Sequence, residues 1–94
     1  MISAIVTTKC KDFAAWKPAF EAHAEDRKKH GCSGCRVFQS VEDPNDLTIV
    51  FNWSSAEALG KFMADAEVQK KIASAGTIGK PVARLFNAAG SYAS

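Results

Sequence analysis

No apolar run in this chain approaches the roughly 18 residues of a membrane helix, and no charged leader precedes an apolar block and a cleavage site at its N-terminus. The expected location is the cytoplasm, with no membrane partner. Charge of one sign is also scarce. Twelve basic against ten acidic side chains leave a net +2, too little for the basic footprint that nucleic-acid binding requires. The single basic run, Arg27-Lys28-Lys29, falls where a helix should end, and the helix dipole favours cations there. Cysteines number three, and an odd count excludes a fully paired disulfide framework within one chain. Reduced thiols are therefore expected. There is no internal repeat and no low-complexity tract.

What remains is the composition of a folded domain, 47% hydrophobic and 23% charged. At 94 residues, 1–94 forms one domain, and a chain of this size buries only about 60 to 65% of its unfolded surface as a monomer. Association with a second chain would relieve that shortage.

The β-branched run Ile2 to Thr8 predicts a strand covered on both sides. Asp12 then suits a helix N-cap, and Phe13, Trp16, Phe20, His23, Ala24 and Arg27 recur at spacings of three and four, which predicts an amphipathic helix stopped by Gly31. Glu25 and Lys29 have the favourable acid-first spacing on its outer side. Alternating residues from Cys35 to Val41 and from Leu47 to Trp53, separated by Asp43-Pro44-Asn45-Asp46, predict a hairpin. Ser54 and Glu57 have the spacing of a capping box, so the second hairpin strand should feed straight into a helix. Its stripe of Leu59, Phe62, Met63 and Ala66 slips phase before Val68, Ile72 and Ala75. That slip places a break near Asp65, which caps a second segment ending at Gly76. Thr77 to Pro81 reads as a connection, Val82 to Phe86 as the last strand, and 88–94 as a frayed tail.

The order β-α-β-β-α-β is the split βαβ, ferredoxin-like arrangement of the α+β class: a four-stranded antiparallel sheet with the helices on one face. The other face cannot be wholly polar, because the strands offer apolar residues in both parities, Val50 against Leu47, Ile49, Phe51 and Trp53, and Phe38 against Val37. A second copy of the same sheet would cover it as an isologous homodimer.

With these elements in place, the chain resembles the dimeric α/β-barrel superfamily that includes the antibiotic-biosynthesis monooxygenase-like proteins. The resemblance runs from Ile2 to Phe86. It is most specific in Val50-Phe51-Asn52-Trp53-Ser54-Ser55-Ala56-Glu57-Ala58, continued by Phe62, Met63, Ala64, Asp65, Ala66 and Glu67, with a second piece in Trp16, Phe20, His23 and Arg27, then Gly31-Cys32 and Arg36-Val37-Phe38. The resemblance implies paired ferredoxin-like subunits that close an α/β barrel, each with a pocket between sheet and helices. Family members include cofactor-independent oxygenases, polyketide cyclases, isomerases and haem-degrading enzymes, so fold alone does not choose the chemistry. Haem-degrading members place an asparagine on the first strand, where this chain has Ser3, Ile5 and Thr7. Cyclase-like members use a histidine and a tyrosine, whereas the only tyrosine here is Tyr92, in the tail.

His23 shares the inward stripe of the first helix, and an imidazole titrating near neutrality could move a proton on a phenolic or enolic ligand. The plainer reading is a half-buried histidine that packs and hydrogen-bonds. Arg27, one turn on, could hold a carboxylate or an enolate oxygen, or could pair with a surface acid at the helix edge. Trp16, Phe20, Phe51, Trp53 and Phe62 could line a pocket for a flat, apolar or aromatic ligand, or could simply be core, as could Met63. Asn52, of opposite parity to its neighbours, is either a ligand-binding amide or an interface group. The expected chemistry is acid/base and needs no metal or organic cofactor. A non-catalytic binding or assembly module is the alternative. His30-x-Cys32-x-x-Cys35 invites a thiol or metal reading, but it follows a helix instead of opening one and lacks a fourth ligand. Gly76-Thr77-Ile78-Gly79-Lys80-Pro81 precedes a strand, where a phosphate loop must precede a helix.

Overall fold

Strand β1 (Ile2–Cys10) is one of the two central strands of the sheet, and the computed structural model, which describes residues 2–93, builds outward from it. After β1 come α1 (Phe13–Ala22), α2 (Ala24–Lys29), β2 (Cys32–Gln39), β3 (Asp46–Trp53), α3 (Ala56–Ala64), α4 (Ala66–Ser74) and β4 (Thr77–Phe86). The sheet order is β2-β3-β1-β4 and every pairing is antiparallel. This is the expected α+β arrangement, with an open sheet whose edges are β2 and β4. None of the helices is long and apolar enough to cross a membrane among the described residues.

Register separates the two faces. Ala4 lies opposite Phe51, Val6 opposite Ile49 and Thr8 opposite Leu47, and this set meets the helices. Trp16 of α1 packs with Cys10, Leu47 and Ile49, while Leu59 of α3 packs with Ala4, Cys32 and Trp53. On the other face, Arg36, Val50, Ile5 and Arg84 form one cross-strand row. Phe38, Thr48, Thr7 and Val82 form the next. Phe38, Val82 and Phe86 on this face are exposed, and Arg36 and Arg84 lie over the rings of Phe38 and Phe86.

Four local readings need correction. The first helical stripe is broken at His23, whose backbone (φ −99°, ψ 12°) ends α1. The Phe20 carbonyl there accepts from the His23 N–H and also from Arg27 Nη1, at 2.9 Å, so a side chain serves part of the helix end. Periodicity cannot reveal such a break when both pieces keep the same face inward. Second, the cap of α3 is Ser55, which accepts from the Ala58 N–H at 3.1 Å, whereas the Ser54 N–H donates to the Gly31 carbonyl and Glu57 pairs with Lys61. We expect Ser55→Ala to cost about 1 kcal/mol in urea unfolding, and Ser54→Ala to cost no capping energy at all. Third, β2 begins at Cys32 and ends at Gln39, leaving Val41 in the turn. Fourth, the stretch read as a connection is the first part of β4: Lys9 pairs with Ile78 and Thr7 with Val82, and the register shift between them takes up Gly79 (φ +71°) and Pro81. Proline is tolerated there because β4 is an edge.

The remaining cap and stop signals land where read. Asp12 caps α1 through the Ala14 N–H, Asp65 separates α3 from α4 and caps the latter through the Glu67 N–H, and Gly31 (φ +110°) ends α2. Residues 87–93 carry no helix or strand, and Ser94 of the tail lies outside the described residues.

Candidate functional site

Between the inward sheet face and the helices lies a cavity of about 110 Å³. Its floor is Ala4, Val6 and Thr8 of β1 with Ile49, Phe51 and Trp53 of β3. One wall comes from α1 and α2 through Trp16, Phe20, His23, Asp26 and Arg27, and the other from α3 and α4 through Leu59, Phe62, Met63, Val68, Lys71 and Ile72. The helical spacing of three and four aims all of these residues inward.

The aromatic side chains form a continuous wall. Ring centroids are 4.6 Å apart for Trp16–Phe20, 6.1 Å for Phe20–Phe51, 6.4 Å for Phe51–Trp53 and 5.0 Å for Trp53–Phe62. Two polar atoms within this apolar shell have no hydrogen-bond partner among the described residues, Trp53 Nε1 and Thr8 Oγ1. An orphaned buried donor costs about 1 to 3 kcal/mol, so each would gain from an acceptor supplied by a bound molecule.

The rest of the polarity gathers on one side. His23, Asp26 and Lys71 are each partly exposed. Lys71 Nζ is ion-paired to Asp26 Oδ2, and His23 Nδ1 is 4.0 Å from the same oxygen. The hydrogen bond from Lys71 holds the Asp26 carboxyl below its usual range, and Asp26 holds the Lys71 ammonium above its own. This joins α2 to α4 across the cavity.

Arg27 is only 8% exposed. Its guanidinium carbon is 3.9 Å from the Phe20 ring centroid, and no acid pairs with it among the described residues, which corrects the reading of a surface ion pair at the helix edge. The carbonyl end of α1 and the Phe20 ring stabilise the charge instead. Nearby, burial pushes the Cys35 thiol up, opposed in part by Arg27.

The structure thus brings Trp16, Phe20, His23, Arg27, Phe51, Trp53 and Phe62 to one cavity. It does not bring Asn52 there. That residue is on the opposite sheet face, where its Oδ1 accepts from the Ser3 hydroxyl at 3.4 Å. His30 and the two nearby cysteines are also apart from one another's chemistry: His30 faces the Asp26 carbonyl and Asp65, while the Cys32 thiol donates to the Gly34 carbonyl. No three His, Cys, Asp or Glu side chains are placed to hold a metal ion among the described residues. Sequence reasoning missed Thr8, Asp26 and Lys71. Parity along β1 would have found Thr8, and the i,i+3 spacing to His23 would have found Asp26. Nothing local points to Lys71, because its partner lies 45 positions away.

No curated protein matches this sequence. Solved structures do resemble it closely in fold. An antibiotic biosynthesis monooxygenase candidate from Bordetella bronchiseptica superposes with a TM-score of 0.80 at 17% identity, over 94% of this chain and 96% of that one. SnoaB, a cofactor-independent oxygenase from Streptomyces nogalater, gives 0.79 at 12% identity over 99% and 97%. A further antibiotic biosynthesis monooxygenase candidate, from Caulobacter crescentus, gives 0.74 at 19% over 95% and 90%. At such identities these likenesses establish the fold alone. The sequence model of the antibiotic biosynthesis monooxygenases matches residues 3–73, from β1 to the end of α4, and on that match the chain belongs to the antibiotic biosynthesis monooxygenase family.

Proposed function

We propose that this protein is a cytoplasmic homodimer that binds an aromatic or polyketide-like molecule in the cavity of each subunit and oxygenates it by acid/base chemistry, without metal or organic cofactor. The observation that carries this reading is the aromatic-lined cavity with a single histidine at its polar rim. A void of about 110 Å³ is of the order of the ~150 Å³ engineered cavity that admits benzene, so it suits one flat ring at a time within the apolar shell.

In the proposed reaction His23 removes a proton from an activated methylene carbon acid. Arg27 stabilises the resulting enolate oxygen, and Trp16, Phe20 and Phe51 hold the ring. The enolate supplies the electrons that reduce dioxygen. A new C–O bond forms, one oxygen atom stays as a carbonyl, and the other leaves as water with the two hydrogens of the methylene. Asn52 has its place at the subunit interface in this picture.

The experiment is oxygen uptake with a series of aromatic hydroxy-ketones. We expect turnover by the wild type and a fall of about 100-fold or more in His23→Ala, the usual scale for a lost general base. Equal rates in both proteins would remove His23 from the mechanism. Quenching of Trp16 and Trp53 fluorescence reads binding separately, and saturable quenching without oxygen uptake by any protein would favour the non-catalytic binding module.

A further inference from the structure

We propose that Asp26 is the positioning residue of this site: its carboxylate accepts a hydrogen bond from His23 Nδ1–H and so leaves Nε2 as the unprotonated nitrogen available to a ligand. The inference rests on reading His23 as the group that moves the proton. It goes further by assigning roles to Asp26 and Lys71.

The helix break supplies the geometry. Because α1 ends at His23 and α2 starts at once, Asp26 falls in the first turn of α2 with its Oδ2 4.0 Å from His23 Nδ1, and both side chains line the cavity. That separation is longer than a hydrogen bond and shorter than one intervening water would need. Catalytic contacts are commonly long in ligand-free sites and tighten when a ligand binds. An imidazole bonded at one nitrogen has its tautomer, and so the role of its other nitrogen, fixed. Lys71, reaching across from α4, is ion-paired to the same Asp26 oxygen and holds the carboxyl below its usual range, so the two cations share one ionised acceptor and Lys71 competes with His23 for it.

The competing explanation is that Asp26 and Lys71 merely bridge two helices, which would leave the His23 ring indifferent to either. Imidazole ¹⁵N shifts distinguish the two without any substrate. The chain has two histidines, and His30 serves as an internal control because its Nδ1 lies 2.7 Å from the main-chain carbonyl of Asp26, which a side-chain substitution leaves in place. In alkaline buffer, at a pH where the ¹⁵N spectra themselves show neutral rings, we expect both rings of the wild type to be Nδ1–H tautomers. In Asp26→Ala, His23 should swing to the Nε2–H form that free imidazole favours, with His30 unchanged. In Lys71→Met the carboxylate loses a competitor, and His23 should stay Nδ1–H.

A wild-type His23 that is mainly Nε2–H overturns the proposal, whatever the variants do. So does an Nδ1–H signal that survives in Asp26→Ala, or one that disappears in Lys71→Met. An inert protein with the expected tautomers would count against the oxygenase reading alone, and an active protein with the wrong tautomer against this pairing alone.

Discussion

Trp53→Ala is expected to lower the stability of this protein by about 3 to 5 kcal/mol, the usual cost of truncating a buried tryptophan. Trp53 is 1% exposed and ends β3 among Ala4, Cys32 and Leu59, with the Phe62 ring at 5.0 Å. Its removal would leave a void continuous with the cavity, because the same side chain forms part of the floor. A domain of this size has about 5 to 15 kcal/mol in total, so about a fifth or more would be lost and the melting temperature should fall by about 12 °C or more. Trp53→Phe is the control. It keeps an aromatic ring and deletes an indole N–H that has no partner among the described residues, so it should cost about half as much or less. A Trp53→Ala melting curve within a few degrees of wild type would mean that the ring does not seal the core at all.

The placement of Trp53 was legible because a strand parity and a helix stripe are both short-range patterns. Trp16, Phe20, His23 and Arg27 could be aimed at a common space from their spacing, and Gly31 and Asp65 could be seen as punctuation, since each signal acts within one turn of helix. What stayed hidden involves choices between near-equal local options or partners far away in the chain. Ser54 and Ser55 can both cap a helix, and the selection of Ser55 depends on Gly31, whose carbonyl takes the Ser54 N–H. The start of β4 depends on pairing with Lys9 and Cys10, some 68 positions earlier, which overrides the Gly and Pro that locally spell a connection. The polar side of the cavity was only half visible for the same reason: His23 announces itself, while Lys71 acquires meaning only when α4 is folded against α2.

The uncovered sheet face sets the second large effect, expected from Val50→Lys. Val50 sits in the row Arg36, Val50, Ile5, Arg84, at the middle of the face that the helices leave bare. In an isolated subunit a lysine there meets solvent, and its like-charge contact with Arg36 across the strand costs up to about 1 kcal/mol. In a dimer built on this face it would be buried with no acid beside it, and isologous symmetry would bury it twice. At about 3 kcal/mol for each unpaired buried charge, Kd should weaken by about four orders of magnitude. Sedimentation at micromolar concentration should therefore give twice the 10.1 kDa subunit mass for the wild type and one subunit mass for Val50→Lys. If a second copy covers this face, the variant's melting temperature should shift further than the cross-strand repulsion explains, because a subunit deprived of that copy would leave Phe38, Val82 and Phe86 in water. Arg36 and Arg84 make the test stringent: lying over Phe38 and Phe86, they already bring positive charge to this face, so in a dimer built on it a third cation at its centre would have nowhere to pair. A wild-type protein that sediments as one subunit, or a Val50→Lys protein that still sediments as two, would show that a second copy does not cover this face.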